Sequence, residues 1–305
     1  MNTRRLCRKG VLCLALVCSW VSLSRAGELV TFTLDTNKSA LTISGTFSGA
    51  AIQPQGPGSL TTKYHGTVRA EITDTSITFV GGSSVVAFDN GSWQPLPGGA
   101  SGSAPANYGA KLYIFLLVDA KAAVRHLILD VTSAELPLTN GTFASQDLRY
   151  TFPPDGSAVL DYTYRGLIGS ASGSDPLTNS PSNTVNTNAT LTTEGAELVL
   201  TVPVDISATG RVISTNDLQY RVRGSVQARA PVPIPLKIAG FQAQPGNLIF
   251  TITTTPGQSY SILGSSDALN WPTVVDQFTA TTNPTVRNVA WPTPPSIQYF
   301  QVRRN

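Results

Sequence analysis

The feature that most constrains the fold is the alternation of apolar and polar residues along several segments. It is clearest in TTKYHGTVRAEI (61–72), ELVLTVPVDI (197–206) and LQYRVRGSVQARA (218–230). Successive side chains of a β-strand point to opposite faces, so a period of two is typical of half-buried antiparallel strands. The predicted inward rows are Thr62, Tyr64, Gly66, Val68, Ala70 and Ile72; Leu198, Leu200, Val202, Val204 and Ile206; and Leu218, Tyr220, Val222, Gly224, Val226 and Ala228.

Other segments complete the prediction of an all-β chain. Pro203 lies on the outward row of its segment and favours an edge strand or a bulge, because proline cannot donate a ladder hydrogen bond. KLYIFLLV (111–118) is apolar on both faces, which predicts one strand in the middle of a packed layer. Further strands are predicted at 29–34, 40–47, 76–88, 124–131, 148–152 and 159–168. These strands predict a large antiparallel β-sandwich or a barrel-like domain.

Residues 1–26 have the pattern of a secretory signal peptide. A basic start is followed by an apolar stretch from Val11 to Leu23 and by small residues, with cleavage expected after Ala26. The stretch is shorter than the roughly 20 apolar residues that a spanning helix needs, so we expect a secreted or envelope-associated protein with no transmembrane segment in the mature chain.

Removal of this peptide changes the composition. The three cysteines, Cys7, Cys13 and Cys18, leave with it, which excludes disulfides, thiolate nucleophiles and cysteine metal sites from the mature chain. Five of the 21 basic residues also leave, so 16 remain against 18 acidic ones and the formal charge moves from +3 to −2. No basic footprint for nucleic acid remains, and none is expected as a partner.

The rest of the chain divides at a proline-rich connector. We predict a large β domain at 27–229, a linker APVPIP at 230–235 and a small β-sandwich of immunoglobulin or fibronectin-III type at 236–305. Six short strands separated by turn signals support the small sandwich. Two polar stretches, 90–109 and 169–188, are predicted as long surface loops. The likeness of His65–Ala70 to Arg223–Ala228 hints at a closed or doubled sheet.

Residues 30–230 resemble a group of secreted β-rich proteins of planctomycete and verrucomicrobial bacteria, many of which end in a PEP-CTERM sorting tail. The most specific part of the likeness is QGPGSLTT (55–62). The resemblance implies an exported β-rich architecture and carries no activity with it. GQSYSILGSSDALNWPTV with QYFQVRR is similar to a small β-sandwich appended to exported proteins of the same bacteria, whereas no PEP-CTERM tail is recognisable in this chain.

Two tryptophans are the candidate ligand-contact residues. Trp93 lies in a Gly- and Pro-rich loop, where it either contacts a glycan or folds back over the sheet edge. Trp271 follows the Ser265-Ser266-Asp267 turn, whose side chains can bond nearby backbone groups. We interpret Trp271 as a core anchor at a structural corner, with a sugar-stacking platform as the alternative.

The sequence offers no catalytic, cofactor-binding or metal-binding constellation. His65 is interpreted as a solvated strand residue and His126 as a hydrogen-bonded, partly buried ring. No Gly-x-Ser-x-Gly elbow, histidine pair or calcium loop is present. We therefore expect no cofactor, and the pattern favours a non-catalytic role.

The expected function is that of an exported structural or binding protein of the cell surface or extracellular matrix, whose partner is a polysaccharide or a cell-surface component. One alternative is a polysaccharide-active hydrolase or a carbohydrate-binding protein. The hydrolase would require two carboxylates about 5 to 10 Å apart in a cleft. Another alternative is a barrel-like binder of an apolar ligand, which requires an apolar cavity of at least about 300 Å³.

Overall fold

The computed structural model describes most of the chain after the predicted signal peptide. The described residues are 27–47, 49–114, 118–152, 154–167, 169–178, 181, 183–185, 187–213, 216–234, 236–290, 297 and 299–305, with 210–213 and 216–217 described in their backbone only. The predicted signal peptide and its cysteines lie outside these residues. Among the described residues, no helix is long and apolar enough to cross a membrane.

The protein is all-β, as the alternation predicts. Residues 28–231 form β1 (Glu28–Leu34), β2 (Ala40–Phe47), β3 (Ala50–Ala51), β4 (Gln53–Pro54), β5 (Thr61–Ile72), β6 (Ser76–Phe79), β7 (Ser84–Ala87), β8 (Gly91–Trp93), β9 (Ala104–Ala106), β10 (Tyr108–Ile114), β11 (Val118–Arg125), β12 (Ile128–Thr132), β13 (Leu136–Pro137), β14 (Thr142–Ala144), β15 (Arg149–Thr151), β16 (Val159–Gly166), β17 (Gly169–Pro176), β18 (Asn188–Glu194), β19 (Glu197–Ile213) and β20 (Asn216–Pro231). Two short 3₁₀ helices cover Pro97–Gly99 and Ser145–Asp147.

A 13-stranded antiparallel sheet forms most of the N-terminal region. Its main strand order is β14-β18-β19-β20-β1-β5-β7-β12-β15, with β2, β3, β6 and β13 paired alongside this path. The second sheet has five strands in the order β17-β16-β11-β10-β4, and β8 pairs with β9. All of these pairings are antiparallel.

The large sheet curls strongly, because its two edge strands are close neighbours in the sequence. Ala144 ends β14 and Arg149 begins β15, so five residue steps of at most about 3.6 Å keep the two edges within roughly 18 Å. In a flat sheet the eight spacings between these strands would separate them by about 38 Å. Hydrogen bonds from Tyr150 N to Pro181 O (3.0 Å) and from Ser145 N to Thr187 O (3.0 Å) attach the two edges to Pro181 and Thr187, respectively, and so form a seam between them.

The inner faces of the two sheets form a main hydrophobic core and a smaller separate cluster of Phe47, Leu112 and Tyr164. The predicted inward rows are confirmed, since Tyr64, Val68, Leu200 and Val202 are all buried in the main core. Each fully buried aliphatic or aromatic side chain contributes about 1.5–3 kcal/mol, so these rows are the main source of stability. Pro203 lies beyond the last residue of β19 that pairs with β18, where the outer side of the strand lacks a strand neighbour.

One stretch of chain passes from one sheet to the other at His126. β11 belongs to the five-stranded sheet and β12 to the large sheet, and between them His126 has φ +55°. Asn107, which is buried, fixes this corner: its Oδ1 accepts from Leu127 N at 2.9 Å and its Nδ2 donates to Ala87 O at 3.1 Å. His126 itself is exposed, so the interpretation as a partly buried ring is wrong.

Several strand and loop predictions are wrong in their bounds. Residues 76–88 are not one strand, because β6 ends at Phe79, β7 begins at Ser84, and Gly81 and Gly82 between them have φ of +78° and +68°. The strand predicted at 124–131 is divided between β11 and β12 at His126, and the stretch 90–109, predicted as a loop, contains the paired strands β8 and β9.

Three further predictions differ from the structure. KLYIFLLV is not one central strand, because β10 ends at Ile114, β11 begins at Val118 and these two residues pair across a hairpin. The reversal falls at 115–117, which lie outside the described residues. Residues 169–176 form the edge strand β17 instead of a loop, since small polar residues leave its pairing with β16 unhindered. β20 continues to Pro231, so the connector begins two residues later than predicted.

The C-terminal region is a two-sheet sandwich. Its strands are β21 (Lys237–Gln244), β22 (Asn247–Thr253), β23 (Ser259–Ser265), β24 (Thr273–Thr279), β25 (Thr285–Ala290) and β26 (Tyr299–Arg304). They form two three-stranded sheets, β21-β22-β25 and β24-β23-β26, around a core of their own that includes Phe250, Tyr260 and Ile262. All six predicted strands are confirmed.

The repeated hexapeptide has a structural explanation in its two glycines. β1 and β2 both pair with β5 on one side and with β20 on the other, so they act as one strand interrupted at Asp35–Ser39. Gly66 in β5 and Gly224 in β20 lie beside this interruption with φ of +109° and +152°. A Cβ at Gly224 would lie 2.1 Å from Ala40 O, and one at Gly66 would lie 1.8 Å from Ser84 O.

We expect Gly224→Ala to lower the free energy of unfolding by about 2–3 kcal/mol, because the new Cβ meets a backbone oxygen in a backbone conformation that only glycine adopts easily. Denaturant unfolding measures this loss. Gly195→Ala is the control, since Gly195 has φ +62° but open space around it, and we expect a loss of about 1 kcal/mol. Equal losses in both variants would contradict the predicted clash.

Candidate functional site

A cavity of about 480 Å³ lies between the two sheets of the N-terminal region. Its walls are the inward rows of the large sheet on one side and the inward rows of β10, β11 and β16 on the other. Most of the lining side chains are aliphatic or aromatic. Representative lining residues are Leu41, Val68, Leu200, Val204, Val222, Leu112, Val124 and Leu160. The volume lies within the range of roughly 300–1,000 Å³ that is typical of small-molecule sites.

Three alanines of the five-stranded sheet create this space. Ala110 of β10 pairs with Ala122 of β11, and Ala120 lies on the next rung of the same face, between Leu112 and Tyr164. All three alanines line the cavity. Protein interiors are normally close-packed, and a leucine or phenylalanine at any of these positions would extend into the space. The small side chains are therefore the local cause of the cavity.

A pair of tyrosine hydroxyls lies deep in the wall. Tyr64 Oη and Tyr108 Oη are 2.8 Å apart, and Tyr108 Oη is 3.2 Å from Leu41 O. A carbonyl oxygen can only accept, so Tyr108 donates to Leu41 and Tyr64 donates to Tyr108. Burial raises the pKa of both phenols well above the usual value, so both stay neutral at ordinary pH.

The charged residues that border the cavity point away from its interior or lie at its rim. Lys111 and Lys121 occupy the outward positions of their strands, where Lys111 is exposed and Lys121 Nζ donates to Gln94 Oε1 at 2.8 Å. Asp175 is exposed on the edge strand β17. Among the described residues, no other Asp, Glu, Lys or Arg lines the cavity. Its interior is therefore apolar and uncharged.

The outer face of the five-stranded sheet holds a buried ion pair. Arg125 and Asp161 are 3% and 0% exposed, and Arg125 Nη1 donates to Asp161 Oδ2. Arg125 also donates from Nε to Pro105 O (3.1 Å) and from Nη2 to Pro95 O (2.6 Å) and Trp93 O (3.0 Å). Asp161 accepts from Gly98 N (3.0 Å) and from Ser174 Oγ. The pair thus fastens residues 93–105 to the sheet.

Trp93 lies in this fastened segment, on the sheet face opposite the cavity. Its ring packs over glycines: a Cβ at Gly109 would lie 2.3 Å from Trp93 Cγ, and one at Gly56 would lie 2.9 Å from Cζ3. Its Nε1 donates to Asn90 Oδ1 at 2.5 Å, and the residue is partly buried. Of the two alternatives for Trp93, these contacts correspond to folding back over the sheet. Gln55 joins the same arrangement, with Nε2 donating to Gln94 O at 2.6 Å.

Trp271 lies in the C-terminal sandwich between β23 and β24. The predicted turn is confirmed: Ser265 Oγ accepts from Asp267 N (3.1 Å) and Ala268 N (2.9 Å), and Asp267 Oδ1 accepts from Leu269 N and Asn270 N, both at 2.9 Å. These backbone hydrogen bonds hold the pKa of Asp267 well below its usual value. Trp271 is partly buried and is not one of the described members of the core, which Phe250 and Tyr260 dominate instead. The interpretation as the core anchor is therefore not supported.

The histidines do not belong to the cavity. His65 is partly buried and its ring lies 4.5 Å from that of Phe88, while His126 is exposed at the corner. Among the described residues, no group of three or more His, Cys, Asp or Glu side chains is placed to hold a metal ion. Neither candidate tryptophan lines the cavity.

Sequence reasoning missed the residues that define the cavity. Ala120 and Ala122 lie in VDAKAAVR (118–125). Because the apolar run 111–118 was predicted as one strand, the residues after it were not recognised as a strand paired with 108–114. The available signal was the cluster of small residues at alternate positions of two adjacent strands, and it becomes visible only once the pairing of Ala110 with Ala122 is known. Comparison with protein families, curated proteins and solved structures finds no significant match for this chain.

We expect Arg125→Met to lower the free energy of unfolding by about 3–5 kcal/mol, because it leaves Asp161 as a buried charge without its partner. Denaturant unfolding measures the loss, and limited proteolysis should find residues 93–105 newly cleavable. Arg229→Met is the matched control. Arg229 pairs at the surface with Glu194 and Glu197, and we expect a loss of only about 0–1 kcal/mol. Similar losses in the two variants would contradict the anchoring role of Arg125.

Proposed function

We propose that this protein is an exported, non-catalytic binding protein that holds an apolar small molecule between the two sheets of its N-terminal region. The observation that carries the proposal is the cavity of about 480 Å³ with its aliphatic and aromatic lining. Burial of apolar ligand surface in such a site is favourable by roughly 25 cal/mol per Å², which gives useful affinity without specific polar contacts.

The carbohydrate-active alternative has less support at this site. A glycosidase needs two carboxylates on either side of one bond, and sugar recognition needs convergent polar side chains. Of the described residues that line the cavity, Asp175 is the only one with a carboxylate, and it is exposed at the rim. A hydrocarbon-like ligand matches the lining better than a sugar does.

The same proposal gives the C-terminal sandwich a separate role. We regard it as an appended module of immunoglobulin or fibronectin-III type, which contacts a polysaccharide or another cell-surface component. Its core is separate from that of the N-terminal region. Binding of the apolar ligand therefore does not require any residue of the sandwich.

We expect Ala122→Phe to weaken binding of the neutral fluorescent probe N-phenyl-1-naphthylamine at least tenfold, because the added ring occupies the space between the sheets. Fluorescence titration of the full mature chain measures the affinity. Stability should be unchanged or slightly raised, since the ring fills space instead of displacing packed atoms. Ala243→Phe, at an exposed position of β21, is the control and should bind like the parent protein. Failure of the parent protein to bind the probe, or equal binding by Ala122→Phe, would contradict the proposal.

A further inference from the structure

One polar group in the cavity wall lacks a partner. Tyr150, in the edge strand β15, lines the cavity and is 8% exposed. Its Oη is buried and makes no hydrogen bond with any atom of the described residues. Buried hydroxyl groups in proteins are almost always hydrogen-bonded, and one left without a partner is destabilising.

The neighbouring amide of Asn183 is already committed elsewhere. Its Nδ2 donates to Ser145 O at 2.9 Å and to Pro203 O at 3.2 Å, and its Oδ1 accepts from Asp205 N at 3.1 Å. These hydrogen bonds fasten the seam between the two edges of the large sheet, and neither polar atom of the Asn183 side chain lies within hydrogen-bond geometry of Tyr150 Oη. Burial raises the pKa of Tyr150 well above its usual value. The phenol is protonated at ordinary pH and available as a donor.

The surroundings of Tyr150 combine this hydroxyl with hydrocarbon. Leu148, Phe152 and Pro181 line the same cavity. Leu148 and Phe152 are each two residues from Tyr150 in the chain, and Pro181 O accepts from Tyr150 N at 3.0 Å. The opposite wall carries the three alanines, and none of the cationic side chains that the structure describes around the cavity points inward to neutralise an acid. Transfer of an ionised carboxylate into such an interior would be strongly unfavourable.

We propose that the ligand is an uncharged, mainly hydrocarbon molecule with one oxygen at an end, and that Tyr150 Oη donates a hydrogen bond to that oxygen. The inference rests on the proposed function and specifies the chemical class of its ligand as a long-chain alcohol or a similar neutral lipid. Tyr150 Oη has almost no accessible surface in the structure. The proposal therefore requires the Tyr150 side chain to shift toward the cavity when the ligand binds. The hydroxyl then favours ligands that carry an oxygen, and the apolar walls disfavour charged ligands.

The test is displacement of N-phenyl-1-naphthylamine, which has no oxygen, by 1-dodecanol and by dodecanoate at pH 7. In the parent protein, we expect dodecanoate to compete at least tenfold less well than 1-dodecanol. Tyr150→Phe should lower the affinity for 1-dodecanol about tenfold and leave the affinity for the probe unchanged. The variant removes only a hydroxyl without a partner, so its stability should match or exceed that of the parent. Tyr113→Phe, at a position that is 65% exposed on the outward row, is the control and should change neither affinity.

The outcomes separate the two proposals. If the parent does not bind the probe, the proposed function itself fails. If the probe binds but 1-dodecanol displaces it equally well from the parent and from Tyr150→Phe, the role of Tyr150 is contradicted. The proposal of an apolar binding site is then unaffected. If dodecanoate competes as well as 1-dodecanol, the requirement for an uncharged ligand is overturned.

Discussion

The structure depends on one constraint: apolar side chains on alternate positions of two sheets must share a single interior. Residues 27–305 contain no cysteine, so no disulfide can stabilise this part of the chain and burial of these rows is its main source of stability. The large sheet curls around this interior, so that its edge strands β14 and β15 lie near each other and are connected by Ser145–Leu148. The five-stranded sheet then covers the interior, and the chain passes between the sheets at His126 and Leu127.

The two faces of the five-stranded sheet differ in how completely they are packed. On the outer face, the segment around Trp93 lies against glycines, and the ion pair of Arg125 with Asp161 satisfies a series of backbone groups. On the inner face, Ala110, Ala120 and Ala122 leave space that the facing rows do not occupy. A cavity lowers stability relative to a filled core, and the tightly bonded outer face offsets part of that cost. The sheet is thereby tightly packed on its outer face and borders unfilled space on its inner face.

Alternation predicted the fold class because side-chain direction in a strand is a local property. The rows around Tyr64, Val202 and Val226 face the interior as predicted, and the C-terminal strands fall where turn residues separate them. The hairpin within 111–118 was not predictable in the same way, because its reversal lies in an uninterrupted apolar run without turn residues. The cavity and the partner of Arg125 depend on register and on contacts between strands far apart in the sequence. Such contacts produce no periodic pattern in the sequence from which they could be predicted.

The most direct test of this account is a crystal structure of residues 27–305 under xenon pressure. Xenon enters dry apolar cavities and leaves filled or polar interiors unoccupied. The account predicts xenon sites between the two sheets, in contact with Ala110, Ala120 and Ala122, and no ordered water there. Side chains closed over these alanines, or a chain of ordered waters between the sheets, would contradict it.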